Sequence, residues 1–338
     1  MSIKTFKASI LINTKKIEQH RFLVPDELRD DQVLIKIYYT GICGSQIMEF
    51  LGNRGKDDYI PHALGHEAVG KVVAIGKKVS KVSPKDEVIL SWIKGKGLDY
   101  GGFQLTNVEN NKINFGPIST FSSVAIVSEN RVFLKPKKMS KVEAVLYGCA
   151  MPTGAGMVIN QIKELKKKHK VCLIGVGGVG MAALLALIKK EPEIFILEKN
   201  KKKQQFLKKF NINLIDFREK KNYRNFFDFC VETSGSTHMI EEGFNLIKKN
   251  GKLIFASHPK NSKKIKLNPH DLISGKKIYG SWGGNCKLDN DIEKIFEYFD
   301  KKNIFSSFGK ISFFNLKNIN KAFKQVISGE INRAVIKF

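Results

Sequence analysis

Two rhythms of apolar and polar positions divide the chain. Up to about residue 130, short runs alternate, as in "DQVLIKIYYTGIC" and "HEAVGKVVAIG", with glycines and an "SPKDEV" turn between them. Alternation at period two predicts half-buried strands. From about residue 140 the rhythm lengthens. Helical patterns ("SKVEAVLYGCAMPTGAGMVINQI", "GMAALLALIKK", "KKQQFLKKF", "HMIEEGFNLIKK") take turns with continuous apolar runs ("KVCLIG", "EIFILE", "FFDFCVE", "GKLIFAS", "KKIYGSWGG"). Strands that are apolar throughout and alternate with helices predict a parallel sheet covered on both faces. Two amphipathic helices, "NDIEKIFEYFDKK" and "NINKAFKQVISG", and a strand, "RAVIKF", close the chain. The expectation is an α/β protein with a β-rich domain over 1–150 and 285–338 and a doubly wound domain over 151–284.

Composition narrows the class. An apolar fraction of 42% over 338 residues is ordinary for a globular protein. No apolar run reaches the roughly 18 residues that a membrane helix needs, so no membrane partner is expected. The start, "MSIKTFKASILINTKK", reads as a first strand, not a signal peptide. Cys43, Cys149, Cys172, Cys230 and Cys286 stand far apart and are odd in number, which argues against a disulfide framework and for a cytoplasmic setting. The formal charge of +26 raises the question of a nucleic-acid partner, yet only seven of the 58 basic residues are arginines. Base reading and bidentate phosphate recognition favour arginine. The lysines fall in short runs such as "KELKKKHK", and we read them as a solvated surface, with a weak field for anionic substrates as the remainder and no nucleic acid.

"KVCLIGVGGVGMAALLALIKK" sets Gly175, Gly177 and Gly180 in a G-x-G-x-x-G between a strand and a helix. Gly175 permits the tight turn, Gly177 lets a pyrophosphate approach, and Gly180 lets the helix pack on the strand. Gly178 and Val179 open the helix whose N-terminus would face the phosphates. The next strand, "EIFILE", ends in Glu198, where an acid accepts ribose hydroxyls and repels a 2′-phosphate. Glu198 favours NAD, while Lys199 and Lys201 to Lys203 beside it keep NADP open. The pattern is that of a Rossmann domain.

"YYTGICGSQIMEF" puts Cys43 where a strand breaks on Gly41 and Gly44, an arrangement expected of an exposed ligand or nucleophile. "PHALGHEAVG" gives His66 and Glu67 on a second glycine turn, and "LYGCAMPTGAG" adds Cys149. Catalytic zinc takes three soft or borderline ligands and keeps one open position. Cys43, His66 and Cys149 supply such a set, with Glu67 as an anchor or transient ligand.

With these motifs on view, the chain resembles the zinc-dependent medium-chain alcohol dehydrogenases nearly end to end, in "GICGS", "GHEAVG", "STFSSVAIVSENRV", "GCAMPTGAG", "GVGGVG" and "NINKAFKQVISGEINRAVIKF". "STFS" and the "SGEINR" tail look closest to the liver-type and glutathione-dependent branch. The resemblance implies a GroES-like catalytic domain beside the Rossmann domain and hydride transfer between an NAD(P) cofactor and an alcohol, aldehyde or ketone. It implies Cys43, His66 and Cys149 as ligands of one catalytic zinc per chain. Ser45 would relay the substrate proton, and Thr153 would stand near the nicotinamide. Trp92 and Phe121 would line the pocket, Arg333 would reach the pyrophosphate, and the assembly would be a homodimer or homotetramer.

The departures matter as much. The stretch where the family often carries a second zinc on four cysteines, "SWIKGKGLDYGGFQLTNVENNKINFGP", has no cysteine, so that lobe is expected to be short and re-packed. Gln46 and Met48 stand where an acid and often a histidine follow the first ligand, so the relay from Ser45 has to end at the cofactor ribose, at water or at another side chain. Gly44 replaces a basic residue and loses one pyrophosphate contact. A polyol or sugar-like alcohol is the expected substrate. A nucleotide-binding sensor without zinc chemistry is the alternative, to be separated by metal analysis. A basic nucleic-acid-binding protein is a third reading, tested by salt-dependent binding.

Overall fold

Apolar alternation does its work first in the β-rich half. A computed structural model describes residues 3–260 and 262–338. The chain forms two compact units: one runs to Cys149 and resumes over Lys287–Phe338, the other is Ala150–Cys286.

In the first unit, Gln32–Gly41 is the central strand. It pairs antiparallel with Glu67–Ile75, with Val124–Ser128 and with the chain-terminal strand Arg333–Lys337. Glu87–Ser91 and Val132–Leu134 extend this sheet on one side and Ile311–Asn315 on the other. Val33, Ile35 and Ile37 on alternate positions are fully buried, as a period-two pattern requires. A second sheet runs in the order Lys16–Leu23, Thr5–Asn13, His62–Ala63, Lys112–Gly116, Phe103–Thr106. Its last two strands are a hairpin inside the cysteine-free lobe. Phe115 from that hairpin meets Phe22 edge-on at 5.0 Å and stacks on Phe103 at 5.8 Å.

The second unit holds six parallel strands in the order Asn213–Leu214, Glu193–Leu197, Lys170–Ile174, Phe227–Glu232, Ile247–Phe255, Lys277–Gly280. In chain order this is 3-2-1-4-5-6, the doubly wound arrangement that binds dinucleotides where the order reverses. The α/β reading with a Rossmann-type sheet therefore holds.

Two local expectations change. "SKVEAVLYGCAMPTGAGMVINQI" is not one helix but two, Lys141–Tyr147 and Ala150–Gln161, interrupted at Gly148 and Cys149. Periodicity alone misses the break because both sides are apolar. "HMIEEGFNLIKK" leaves its helix at Leu246, and the lysines already belong to the strand Ile247–Phe255. Among the described residues no single helix is long and apolar enough to cross a membrane.

Candidate metal centre and nucleotide loop

Three separate turns deliver the ligand atoms. Cys43 ends the run after strand Gln32–Gly41 and caps the short helix Gly44–Phe50. His66 follows Gly65, whose φ of +95° disfavours a side chain and where a Cβ would come within 2.5 Å of Thr120 Oγ1. Cys149 sits in the helix break, where the Ser91 hydroxyl donates to the Gly148 carbonyl at 2.7 Å. One atom from each of Cys43, His66 and Cys149 lies within 4.8 Å of the others. Cys43 is only 8% exposed, so the expectation of an exposed thiol is corrected: the glycines give close packing, not solvent access. At Gly41 in particular, a Cβ would lie 2.6 Å from Glu67 Oε1 and 2.9 Å from Arg333 Nη2.

The donor set fits zinc. The two sulfurs are 3.7 Å apart, and two Zn–S bonds of about 2.3 Å at a tetrahedral angle place sulfurs about 3.8 Å apart. His66 Nε2 is buried with no hydrogen-bond partner, as a ring nitrogen reserved for a metal would be. The hydrogen bond from Cys149 holds the Cys43 thiol well below its usual range, against the effect of burial, and the same bond pushes Cys149 well up. A thiolate beside an imidazole and a second sulfur suits a borderline-soft divalent cation. Trp92 Nε1 donates to Cys149 Sγ at 3.2 Å, and the Ser45 hydroxyl bonds to the Cys43 sulfur.

Glu67 is fully buried beside the ligands and pairs with the Arg333 guanidinium. Burial pushes the Glu67 carboxyl up while the arginine charge works against it. Glu67 Oε2 has no partner. Arg333, expected at a pyrophosphate, is placed on Glu67 with its side chain 4% exposed. Phe121, expected on a pocket wall, is 1% exposed and meets Phe323 edge-on at 6.0 Å, behind the Gly65 turn. Gln46 links both turns, its Oε1 accepting from Gly65 N–H and its Nε2 donating to Glu49 at 3.0 Å.

The nucleotide residues gather within the second unit. Gly175, with φ +78°, turns the chain after strand Lys170–Ile174, and open space surrounds the α-carbon of Gly177. Gly180 packs against the Gly175 carbonyl, where a Cβ would clash at 2.1 Å. Gly178 and Val179 begin the helix Gly178–Lys190. Glu198 follows strand Glu193–Leu197; Oε2 accepts from Val176 N–H at 2.8 Å and Oε1 from Asn200 N–H at 2.9 Å. Its carboxylate thus fixes the glycine loop, with one further lone pair per oxygen left over. Thr153 lies in helix Ala150–Gln161 with Oγ1 buried and unpartnered.

Sequence reading missed a second cluster in the first unit, Glu49, Asp57 and His62, which lines a cavity of about 510 Å³ together with Gln46, Arg54 and His66. The cue was present in "PHALGHE", where His62 precedes His66 by one short turn.

The chain is similar to known proteins. Residues 29–137 match the alcohol dehydrogenase GroES-like domain. An S-(hydroxymethyl)glutathione dehydrogenase of Komagataella pastoris is 24% identical over 95% of this chain and 93% of its own length. An alcohol dehydrogenase class-3 of Drosophila melanogaster is 24% identical over 99% of this chain and 98% of its own. The structure of a benzyl alcohol dehydrogenase from Acinetobacter calcoaceticus shares the fold with a TM-score of 0.85 at 22% identity, over 99% of this chain and 100% of that one.

Proposed function

We propose that the chain is a zinc-type medium-chain alcohol dehydrogenase and that it interconverts an alcohol and its carbonyl with NAD(P) as hydride carrier. The observation that carries this reading is the converged set of Cys43, His66 and Cys149 with the orphaned His66 Nε2. Cys43, His66 and Cys149 would hold zinc, which would supply Lewis acidity toward the substrate oxygen, and the glycine loop would hold a nicotinamide nucleotide, which would supply the hydride carrier.

The chain's own residues do the rest. Ser45, beside Cys43, is placed to accept the substrate's hydroxyl proton and hand it on. Gln46 and Met48 cannot carry that proton away as a charge, so it leaves through water or the cofactor ribose. Trp92 fixes Cys149 and shields that side of the metal corner. Thr153, the loop Gly175 to Gly180 and Glu198 hold the nucleotide. Arg333 serves Glu67 first, and a pyrophosphate only through donors left over. Metal and substrate chemistry then belong to 1–150 and 285–338, and nucleotide binding to 151–284. A polyol or sugar-like alcohol remains the proposed substrate and the cytoplasm the proposed compartment, the latter on cysteines that stand far apart in the sequence and are odd in number. The test is a panel of alcohols and aldehydes with NAD or NADP, read at the reduced-nicotinamide band; no turnover with any pair, at one zinc per chain, would refute it.

NAD should bind more tightly than NADP by roughly tenfold, since about 1.4 kcal/mol of repulsion between Glu198 and a 2′-phosphate suffices. Lys199, Lys201 and Lys202 beside it are exposed and do not remove that repulsion. Calorimetric titration checks this, and Glu198→Ala should narrow the gap. We also propose a homodimer or homotetramer through the strand Lys277–Gly280, an edge strand with Tyr279 46% exposed. A strictly monomeric species in light scattering at micromolar protein would exclude it.

A further inference from the structure

Glu49 comes from helix Gly44–Phe50, Asp57 from the irregular segment beyond the turn that follows it, and His62 from strand His62–Ala63. One ligand atom from each lies within 4.8 Å of the other two. His62 Nε2 is 2.8 Å from Asp57 Oδ2 and 3.7 Å from Glu49 Oε1. The histidine is 7% exposed, and its Nδ1 stands 3.1 Å from the Ala63 carbonyl oxygen. A carbonyl only accepts, so a hydrogen on Nδ1 serves Ala63, and Nε2 is left facing two carboxylates. A proton on Nε2 or a metal cation in its place satisfies both acids, and the three ligand atoms are close enough together for the metal. That same bond from Nδ1 to a carbonyl is the device that orients metal-ligating imidazoles.

The acids are prepared for a further partner. Gln46 Nε2 holds Glu49 Oε2 at 3.0 Å and leaves Oε1 on the His62 side. Tyr59 N–H holds Asp57 Oδ1 at 3.0 Å and leaves Oδ2 there as well. The arginine at hand, Arg54, comes only to 3.9 Å of Glu49 and is 44% exposed. The adjoining cavity of about 510 Å³ has room for water or a small ligand to complete a coordination sphere.

We propose that Glu49, Asp57 and His62 form a second, exchangeable divalent-cation site, separate from the cysteine–histidine triad. Two carboxylates and one imidazole with open positions suit Mn²⁺ or Zn²⁺ better than a thiolate-seeking ion. Gln46 connects the site to the triad, since it holds Glu49 at one end and the residue before His66 at the other.

The test is titration of the protein as purified with Mn²⁺, following free Mn²⁺ by electron paramagnetic resonance. One Mn²⁺ per chain should bind, and His62→Ala and Glu49→Gln should each weaken it by at least about tenfold, with triad zinc content unchanged. Asp57→Asn serves in place of any variant that fails to fold by circular dichroism. Wild-type protein that takes up no Mn²⁺ at millimolar concentration between pH 6 and 8 overturns the proposal, because the positive species is then a proton. Binding that is equal in wild type and variants overturns it too.

Discussion

Cys43, His66 and Cys149 come from three distant points of the chain, but each is announced by its own neighbours, a glycine turn or a helix break. The lobe over residues 91–117 is the opposite case. Its position depends on side chains that belong to other stretches. Glu129, 2% exposed, accepts backbone hydrogens from Lys81 at 2.7 Å and from Leu98 at 3.0 Å. Asp289 accepts from Lys96 N–H at 2.7 Å and pairs with Lys81 at 2.5 Å. Phe103 and Phe115 tie the lobe's hairpin to Phe22. Where the resembled family often uses four cysteines and a metal, this chain uses two carboxylates and an aromatic cluster. One region is built to bind a cation, the other to keep its shape through hydrogen bonds and packing.

The largest effect should come from breaking the metal corner alone. Cys43→Ala removes one of three ligands, and zinc content and turnover should fall to background. The lobe should stay folded, because Glu129, Asp289 and Phe22 hold it, and the nucleotide loop lies in another unit. Elemental analysis, an activity assay and NAD titration on the same preparation check the three parts. A collapse of the lobe on zinc removal, seen as new proteolysis within 91–117, would erase the contrast between the regions.

A smaller but still large effect sits one layer behind the ligands. Removing Glu67 by Glu67→Ala leaves Arg333 buried without its partner, which typically costs about 3–5 kcal/mol. Thermal or urea melts should show it. The double change Glu67→Gln with Arg333→Leu should recover much of the stability but not the metal affinity, since groups around ligands tune binding by about 10–100-fold. Equal stability of the two variants would mean that the pair is no buried charge couple.

This contrast also explains what could be read in advance. Ligand types and the glycine loop are local statements, so residues such as Gly65, Cys149 and Gly180 carry their chemistry in four or five neighbours. Strand and helix alternation in 150–286 is local as well, and the doubly wound sheet followed from it. Glu67 with Arg333, Trp92 with Cys149, and His62 with Glu49 are pairings across strands or turns, and no period in the sequence encodes them. The burial of Phe121 is not encoded locally either: an aromatic beside a serine-rich turn reads alike whether it faces a pocket or Phe323. The break at Gly148 was hidden because apolar residues continue on both sides.

The smallest effect tests the lobe directly. Burial would raise the Glu129 carboxyl, but backbone hydrogens from Ser80, Leu98 and Lys81 outweigh it and hold the group below its ordinary value. Glu129→Gln keeps the shape and loses the charge, turning an amide donor toward backbone donors, at a cost of about 2 kcal/mol. A group lowered in the folded state contributes stability in full above its unfolded value, about 4.3, and loses that contribution as pH falls through the folded value. The gap between wild type and variant should therefore be widest at pH 7, still nearly full at pH 5, and shrinking below about pH 4. Urea melts at these three values measure it, with zinc content at pH 7 as the control that the metal corner is untouched. A gap that stays constant as the carboxylate protonates would mean that shape rather than charge holds the lobe, and the two regions would then differ less than their side chains do.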